Sequence, residues 1–290
     1  MNCLITGGCG FLGLHLVEEL IRQKHKVVIF DKFRSKNLPK KINKFYKGDI
    51  KNIKSLEKSF KNIDLVFHFA ALSDLNKAMN KPHDSVNYNI LGTVNTLELC
   101  KKFRVKRFIF ASSIYVNSKQ GGFYRSSKRA AEDYIEEYNK RYKLNFTILR
   151  FGSLYGERSD INNGVRKILE SGKYSNTIKY YGNPKSVRKY IYVKDAARAC
   201  IEVIKNKYKN KHLIITGNKT ISIKKLLKMV NLLFNLKKKI EFYPKKAVGH
   251  YIKNPYTYEF KKGINYITKN QIEFDEGLKK VFLDLNKKNL

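Results

Sequence analysis

Short apolar runs alternate with amphipathic stretches over the first half of the chain. Runs rich in β-branched and aromatic residues predict strands, and stretches with apolar positions three and four apart predict helices. The predicted strands cover 3–7, 26–30, 63–70, 105–112 and 144–151, and the predicted helices cover 11–23, 86–102 and 124–142. Apolar strands joined by helices are typical of a parallel sheet buried on both faces. The pattern therefore predicts an α/β fold with a doubly wound parallel sheet.

The pattern loosens after residue 151. Further elements are predicted as short strands over 189–193 and 212–216 and as helices over 164–173 and 222–234, the last capped by Ser222. We expect two parts: a sheet domain over 1–151, with 188–216 returning to it, and a smaller mixed lobe over 152–187 and 217–290.

Composition adds a strong positive charge to this picture. The 290 residues carry a formal charge of +36, and 42% of them are apolar, which is enough for a substantial core. A polyanion partner, either nucleic acid or an anionic membrane surface, is one interpretation. The cations are mostly lysines spread through almost every segment, whereas nucleic-acid-binding proteins usually concentrate arginine and aromatics on one face. We therefore expect no nucleic-acid partner, and association with a membrane surface stays an unsupported alternative.

The cysteines Cys3, Cys9, Cys100 and Cys200 form no CxxC pair and have no histidine cluster beside them. Metal binding and disulfides are therefore not expected, which suits a reducing compartment. No signal peptide or membrane span is visible in the sequence, and a cytoplasmic location is predicted.

A glycine-rich loop joins the first predicted strand to the first predicted helix. Gly8, Gly10 and Gly13 fit GxGxxG, and Gly7, Gly10 and Gly13 also fit GxxGxxG. Glycines allow the backbone to turn tightly and to approach a pyrophosphate, while the following helix N-terminus supplies N–H donors. Asp31 follows the second strand, where an acid binds the adenosine ribose diol and repels a 2′-phosphate. The loop therefore indicates a dinucleotide site and favours NAD over NADP.

Asp49 precedes a predicted helix in the stretch GDIKN. One interpretation is that its carboxylate accepts a hydrogen bond from the adenine amino group. The alternative is that this stretch supplies the N-cap of the helix.

Tyr124 and Lys128 are four residues apart and so lie on one helix face. A free tyrosine has a pKa of about 10 and is a poor base at neutral pH. We expect the Lys128 ammonium, together with the positive ring of NAD, to stabilise the phenolate and lower that pKa. Ser113 ends a strand, where ligands of a doubly wound sheet bind. The three residues are therefore candidates for acid–base chemistry on a substrate alcohol or carbonyl.

Eight stretches along the chain carry a family resemblance: LITGGCGFLG, GDIKN, HFAAL, NILGT, SSIYV, FYRSSK, LRFGSLYG and SVRKYIYVKDAARA. With them the chain resembles the NAD-dependent sugar-nucleotide epimerase/dehydratase family of extended short-chain dehydrogenase/reductases. The resemblance runs over most of the chain and is strongest from residue 1 to about residue 200. In that family the nucleotide-binding loop is part of a Rossmann-type domain, so the resemblance implies this fold for the first part of the chain.

The resemblance implies roles for individual residues. Ser113, Tyr124 and Lys128 would be catalytic, and Asp195 would tie a loop back to the fold. Ser153 and Arg188 would bind substrate, Arg188 at the pyrophosphate. The cofactor-binding residues would be Gly7, Gly10, Phe11, Leu12, Gly13, Asp31, Asp49, Ile50, Phe69, Ala70, Ala71 and Lys128.

The same resemblance implies epimerisation of a nucleotide sugar, with C4 as the expected centre. Tyr124 would deprotonate a sugar hydroxyl while NAD takes the hydride, and the cofactor would stay bound. Pairing of helices 86–102 and 124–142 would make a homodimer. His68 is interpreted as a packed structural histidine rather than as a base.

The chain departs from the family pattern at several positions. Ile114 and Tyr115 stand where dehydratases and decarboxylases of the family carry an acid, which argues against both reactions. Ser153 replaces an asparagine, and residues 250–263 lack the usual base-binding pattern. The sugar and the nucleotide are therefore left open.

Two other functions stay open on the sequence. The first is an NAD(P)-dependent reductase of a sugar or small molecule that releases its cofactor. The second, of a different class, is a dinucleotide-sensing or nucleic-acid-binding protein of the same fold.

Overall fold

A computed structural model describes residues 1–174, 177–234, 239–243 and 249–259. Its central sheet has seven strands, all parallel, in the order β10-β6-β5-β4-β1-β2-β3. These strands are β1 Asn2–Thr6, β2 Lys26–Asp31, β3 Lys44–Lys47, β4 Leu65–His68, β5 Arg107–Ser113, β6 Phe146–Phe151 and β10 Lys211–Ile215. The predicted doubly wound parallel sheet is confirmed.

Helices cover both faces of this sheet, and others lie outside it. In chain order the helices are α1 Phe11–Arg22, α2 Ile53–Glu57, α3 Leu75–Asn80, α4 Pro82–Ser85, α5 Gly92–Lys102, α6 Gly122–Tyr142, α7 Gly164–Tyr174, α8 Val193–Glu202 and α9 Ile223–Leu233, of which α7 and α9 pack away from the main sheet. A π-helical stretch, Val86–Leu91, leads into α5, and short 3₁₀ helices span Ile114–Asn117 and Asn206–Tyr208.

Two apolar clusters hold these layers together, one on each face. Leu16 and Leu20 of α1 pack with Cys200 of α8 on one face. Leu97 of α5 and Ile135 of α6 belong to the cluster on the opposite face. Continuous apolar strands are buried on both sides, as the sequence pattern requires.

Two smaller sheets lie outside the main one. They contain β7 Ser153–Tyr155, β8 Thr177–Tyr181, β9 Val187–Tyr192, β11 Thr220–Ser222 and β12 Lys239–Tyr243, in the orders β11-β9-β7 and β12-β8. A third apolar cluster, which includes Ile168, Ile178 and Leu227, packs α7 and α9 against β8. Ser222 caps α9 by accepting from the amide of Lys225 at 3.1 Å, as predicted.

The segment 188–216 is shared between the two parts. Strand β10 pairs with β6 in the main sheet, while β9 pairs with β7 and β11 in a small sheet. Residues Met1–Tyr258 form one compact unit. The division into a cofactor domain and a lobe stays a prediction, and its residues 260–290 lie outside the described part of the chain.

Two short elements of the main domain have no clear signal in the sequence. Strand β3 is an edge strand with lysines at both ends, which is how proteins commonly protect an open sheet edge. Helix α4 has only four residues, too few for a periodic pattern. In the residues that the structure describes, no helix is long and apolar enough to cross a membrane.

Candidate functional site

A cavity of about 970 Å³ opens at the carboxyl ends of β1, β2, β4 and β5. Ligands of doubly wound folds bind at this edge, where the strand order reverses between β1 and β4. Most of the predicted site residues line it: Gly7, Gly10, Phe11, Leu12, Gly13, Asp31, Ile50, Phe69, Ala70, Ala71, Ser113, Tyr124 and Lys128. Asp49, Ser153 and Arg188 are not among its lining residues.

The glycine loop leaves no room for side chains where it turns. Gly7 has a φ of +73°, and a Cβ there would lie 2.6 Å from the backbone nitrogen of Ala70. A Cβ on Gly13 would lie 2.3 Å from the carbonyl oxygen of Gly7. Gly10 ends the loop as the N-cap of α1, so the loop amides and the first turn of the helix face the cavity. This arrangement fits a pyrophosphate.

Asp31 ends β2 and organises the glycine loop. Its Oδ2 accepts a hydrogen bond from the amide of Cys9 at 2.9 Å, and its Oδ1 accepts from the amide of Phe33 at 3.4 Å. A carboxylate fixed at the cavity wall fits a ribose diol. Asp31 thus contacts the loop directly, a second role that the sequence did not indicate.

Asp49 is held by two lysines. Its Oδ2 lies 3.0 Å from Nζ of Lys32 and 3.7 Å from Nζ of Lys51. Burial raises its pKa, but hydrogen bonds from Lys51 and Lys32 outweigh that effect and lower it. The N-cap of α2 is Asn52, whose side chain accepts from the amide of Ser55. The stretch GDIKN therefore does supply the N-cap of α2, through Asn52 rather than Asp49, and the contact of Asp49 with adenine stays a prediction.

Tyr124 lies in the first turn of α6 and is almost fully buried. Its phenol interacts with the side chain of Ser113, the last residue of β5, which lines the same cavity. Burial raises the pKa of Tyr124 to about 12, and the hydrogen bond to Ser113 only partly opposes this rise. In the protein without NAD this pKa stays above its ordinary value because burial of the phenol dominates, and the lowering expected from Lys128 together with the positive ring of NAD stays a prediction.

Lys128 is buried one turn further along α6. Its Nζ donates to the carbonyl oxygen of Ala111 at 2.8 Å and lies 4.5 Å from the ring centroid of Phe110. Burial lowers the pKa of Lys128 to about 7, and the negative charge of Glu132 opposes this. Lys128 therefore titrates near neutral pH rather than near its ordinary value of 10.5.

A buried ionic network fixes the end of β5 to α6. Glu132 accepts from Nη2 of Arg150 at 2.6 Å and from its Nε at 3.1 Å, and it also accepts from the hydroxyl of Ser112. His212 of β10 lies within 3.7 Å of the same carboxylate. The network joins the strand that carries Ser113 to the helix that carries Tyr124, so it sets their relative position. No pattern in the sequence indicated it.

His68 ends β4 and is fully enclosed. Its Nδ1 lies 2.8 Å from the hydroxyl of Thr6, its Nε2 lies 3.3 Å from that of Thr93, and its ring stacks on Phe110. Burial, with a smaller effect of Lys128, lowers the pKa of His68 to about 3. The imidazole is therefore a neutral structural group.

The residues expected at the substrate lie further out. Nη1 of Arg188 donates to the carbonyl oxygens of Val187 and Tyr251 at 2.8 Å each, and its guanidinium stacks on the Tyr251 ring. Ser153 is hydrogen-bonded to the Tyr251 side chain. Both residues therefore contact Tyr251, the neighbour of the lining residue His250, and their contacts with substrate stay predictions.

Asp195 lies in the first turn of α8 and pairs with Arg198, and its role in tying a loop to the fold stays a prediction. The loop after β7 is held by Arg158, whose Nη1 and Nη2 both lie 2.7 Å from the Glu18 carboxylate of α1.

His250 is a lining residue that the sequence did not single out. Its Nδ1 lies 3.0 Å from the hydroxyl of Tyr115, and 135 residues separate the two. No local pattern links positions so far apart. Among the described residues, no group of three or more His, Cys, Asp or Glu could hold a metal ion.

Comparison with known proteins gives one consistent family. A model described as the NAD dependent epimerase/dehydratase family matches residues 3–216. A Methanocaldococcus jannaschii protein, provisionally named a UDP-glucose 4-epimerase, is 29% identical over 96% of each chain.

Solved structures agree with this match. A Thermotoga maritima UDP-glucose 4-epimerase with UDP-glucose has 27% identity and a TM-score of 0.81, covering 87% of this chain and 88% of its own. A Thermus thermophilus UDP-glucose 4-epimerase in complex with NAD has 25% identity and a TM-score of 0.80, covering 87% and 89%.

Proposed function

The chain belongs to the NAD-dependent epimerase/dehydratase family, and on that premise we propose that it is a nucleotide-sugar 4-epimerase. The family match confirms the predicted enzyme class and its cofactor, NAD. The inversion at C4 and the roles of individual residues are the parts that we propose here.

One observation carries the proposal: Ser113, Tyr124 and Lys128 line the same cavity as the glycine loop and Asp31. A proton-transfer group and a dinucleotide cradle therefore share one enclosed space. Such proximity is what a reaction needs when a proton and a hydride leave neighbouring atoms.

The cofactor would be held by residues of the first two strands and the loop between them. Amides of the glycine loop and α1 would bind the pyrophosphate, and Asp31 would bind the adenosine ribose. When bound, NAD accepts a hydride from the sugar carbon and returns it, and its oxidised ring adds a positive charge near Tyr124.

Tyr124 would act as base and then as acid. As base it takes the proton of the C4 hydroxyl, while the C4–H bond breaks and the C4–O bond becomes a carbonyl. As acid it would return that proton to the carbonyl oxygen once the sugar has rotated and the hydride is added back to C4 on its opposite face, so that C4 regains its hydrogen with inverted configuration. Ser113, hydrogen-bonded to Tyr124, would hold the same oxygen. General acid–base help of this kind is worth about 10² to 10⁴ in rate.

Because the pKa of Tyr124 is raised, the site must supply positive charge before the phenol can act as a base. A phenol with a pKa of about 12 is protonated at neutral pH and is ready to donate rather than to accept. Positive charge close to the phenol lowers its pKa. Lys128 titrates near neutral pH, so it would supply this charge only in its protonated form, and an oxidised cofactor ring would add to it.

A UDP sugar is the substrate that we propose. The named relatives act on or bind UDP sugars. Ile114 and Tyr115 follow the catalytic serine in place of an acid, which favours epimerisation over elimination. The surplus of positive charge would attract a diphosphate.

A homodimer is the assembly that we propose. The π-helical stretch before α5 exposes Val86 and Leu91, and α6 exposes Phe123, Tyr134 and Tyr142. Exposed apolar side chains on adjacent helices are typical of protein interfaces. Light scattering at micromolar concentration should give twice the chain mass, and a monomer would contradict the pairing.

The decisive experiment is a substrate panel without added cofactor. UDP-glucose, UDP-galactose and their N-acetyl and uronic acid counterparts would be incubated with purified protein, and the products identified by NMR. We expect interconversion of a C4 pair and nicotinamide released only on denaturation. Stoichiometric consumption of NAD(P)H without epimer formation would instead identify a reductase.

A further inference from the structure

Residues 249–258 form a segment, which we call the strap, that connects β9 to the 3₁₀ helix following β5. The amide of Val187 in β9 donates to the carbonyl oxygen of Ile252 at 2.9 Å. Further along, the amide of Thr257 donates to the carbonyl oxygen of Asn117 at 2.8 Å, a few residues after Ser113. The strap is therefore fixed at both ends next to the cavity.

His250 lies in this strap and lines the catalytic cavity. The Tyr115 ring stands between it and the catalytic phenol. The Tyr115 centroid is 6.4 Å from that of Tyr124, and it is also 6.4 Å from that of His250. The Tyr115 ring therefore contacts both the His250 imidazole and the Tyr124 phenol.

The hydrogen bond with Tyr115 bears on the tautomer of this imidazole. Burial, with the charge of Arg188, lowers the pKa of His250, so the ring is neutral at pH 7 and one nitrogen carries hydrogen. Burial raises the pKa of Tyr115, so the phenol keeps its proton and is able to donate it to Nδ1. When the phenol is the donor, the hydrogen of His250 resides on Nε2, for which no partner is found among the described residues.

Three positions at which the sequence differs from the family pattern are connected to His250 or to its neighbour Tyr251. Tyr115 stands in an acid position, Ser153 replaces an asparagine, and the strap lacks the usual base-binding pattern. The structure joins them through the pairs Tyr115–His250 and Ser153–Tyr251. The three departures are therefore linked through the neighbouring residues His250 and Tyr251.

We propose that His250 is a substrate-binding residue whose Nε2–H donates a hydrogen bond to an oxygen of the nucleotide sugar, and that Tyr115 positions it. The inference rests on the proposed function, because it places a nucleotide sugar in the cavity. The acceptor is an oxygen either of the sugar or of the diphosphate, and the same donor serves both.

Calorimetric titration of the NAD-loaded protein with UDP and with UDP-glucose tests the role of His250. We expect His250→Ala to weaken binding of UDP-glucose about fivefold, the usual loss for one neutral hydrogen bond. His250→Gln keeps an N–H donor and should recover part of the loss. His83→Gln, a change at an exposed histidine outside the cavity, is the matched control and should bind like wild type.

The two ligands separate the sources of the acceptor oxygen. A loss confined to UDP-glucose supports a contact with the sugar, and an equal loss with UDP supports a contact with the diphosphate. Wild-type affinity in a folded His250→Ala variant would overturn the role of His250 while the proposed function stands. A wild-type protein that binds neither ligand would overturn both.

NMR of ¹⁵N-histidine-labelled protein tests the positioning role of Tyr115. The six histidines give few signals, and loss of one set in His250→Gln assigns His250. We expect a single Nε2–H tautomer in the wild type and a mixture of tautomers in Tyr115→Phe. An unchanged tautomer in Tyr115→Phe would overturn the positioning role, whereas a merely structural effect of the change would not alter the tautomer.

Discussion

Lys128 donates a hydrogen bond from its ammonium group to the carbonyl oxygen of Ala111 at 2.8 Å, two residues before Ser113. The lysine therefore connects α6 to the end of β5 as well as presenting charge to the cavity. A fully buried ammonium is costly unless it is compensated, and one carbonyl with a nearby carboxylate compensates it only in part. The result is a lysine that titrates near neutral pH.

This titration predicts how stability depends on pH. The pKa of Lys128 is about 7 in the folded protein, against an ordinary value of 10.5. Between pH 7 and pH 10.5 the unfolded chain therefore keeps a proton on Lys128 that the folded chain has lost. The loss of folding stability caused by burying Lys128 is complete below pH 7 and vanishes as the pH rises toward 10.5. Lys128→Met should stabilise cofactor-free protein more at pH 6.5 than at pH 9 in urea unfolding. The exposed Lys54→Met control should show no such trend; an equal effect of Lys128→Met at both pH values would contradict the shift.

Tyr124→Phe should remove the proton-transfer group without changing the packing. We expect turnover to fall by about 10² to 10⁴, with NAD still bound, because the phenol ring keeps its buried contacts. Epimerisation followed by NMR and nicotinamide absorbance of the purified variant check both parts. Tyr134→Phe, on the same helix but exposed, is the control. Turnover close to wild type in Tyr124→Phe would refute the assigned role.

Changes at Asp31 separate its two contacts. Asp31→Asn keeps an oxygen that can accept from the Cys9 amide but removes the charge that repels a 2′-phosphate. We expect Asp31→Asn to retain the conformation of the glycine loop and to lose the preference for NAD over NADP. Asp31→Ala should lose the same preference and should also weaken the binding of NAD by about 10- to 100-fold. Fluorescence titration with both dinucleotides measures this. An unaltered preference in both variants would exclude the ribose contact.

Gly13→Ala tests the shape of the cofactor cradle. Its Cβ would lie 2.3 Å from the Gly7 carbonyl oxygen, so the loop has to move away from α1. We expect a loss of about 1–3 kcal/mol in stability, typical of overpacking, together with loss of retained NAD. Gly164→Ala, where a Cβ meets nothing within 4 Å, is the matched control. Full NAD content in Gly13→Ala would show that the loop tolerates the change.

The ion pair of Glu132 with Arg150 should be the most costly polar contact to break. Glu132→Gln leaves the guanidinium of Arg150 without its charge partner, and breaking one side of a buried pair typically costs about 3–5 kcal/mol. Equilibrium urea unfolding measures this loss. Glu137→Gln, an exposed carboxylate of the same helix, should change stability by less than about 1 kcal/mol. Similar effects of the two changes would mean that the network contributes little.

The sequence by itself determined the features that depend on neighbouring residues. The periodicity of apolar positions specified the parallel sheet, and the glycine spacing specified the turn before α1. Tyr124 and Lys128 share a helix face because they are one turn apart, and Ser113 comes to the cavity because it ends a strand of a parallel sheet. Each of these follows from geometry within one element or at one sheet edge.

Only the tertiary structure decided the contacts between distant segments. The pairing of Tyr115 with His250 and of Glu132 with Arg150 depends on where the strap and β6 pack, and no local pattern encodes either. Burial likewise decided the titration of Tyr124 and Lys128. The desolvation of a side chain depends on every residue packed around it. The charge of Lys128, which is visible in the sequence, therefore did not outweigh the effect of burial on the pKa of Tyr124.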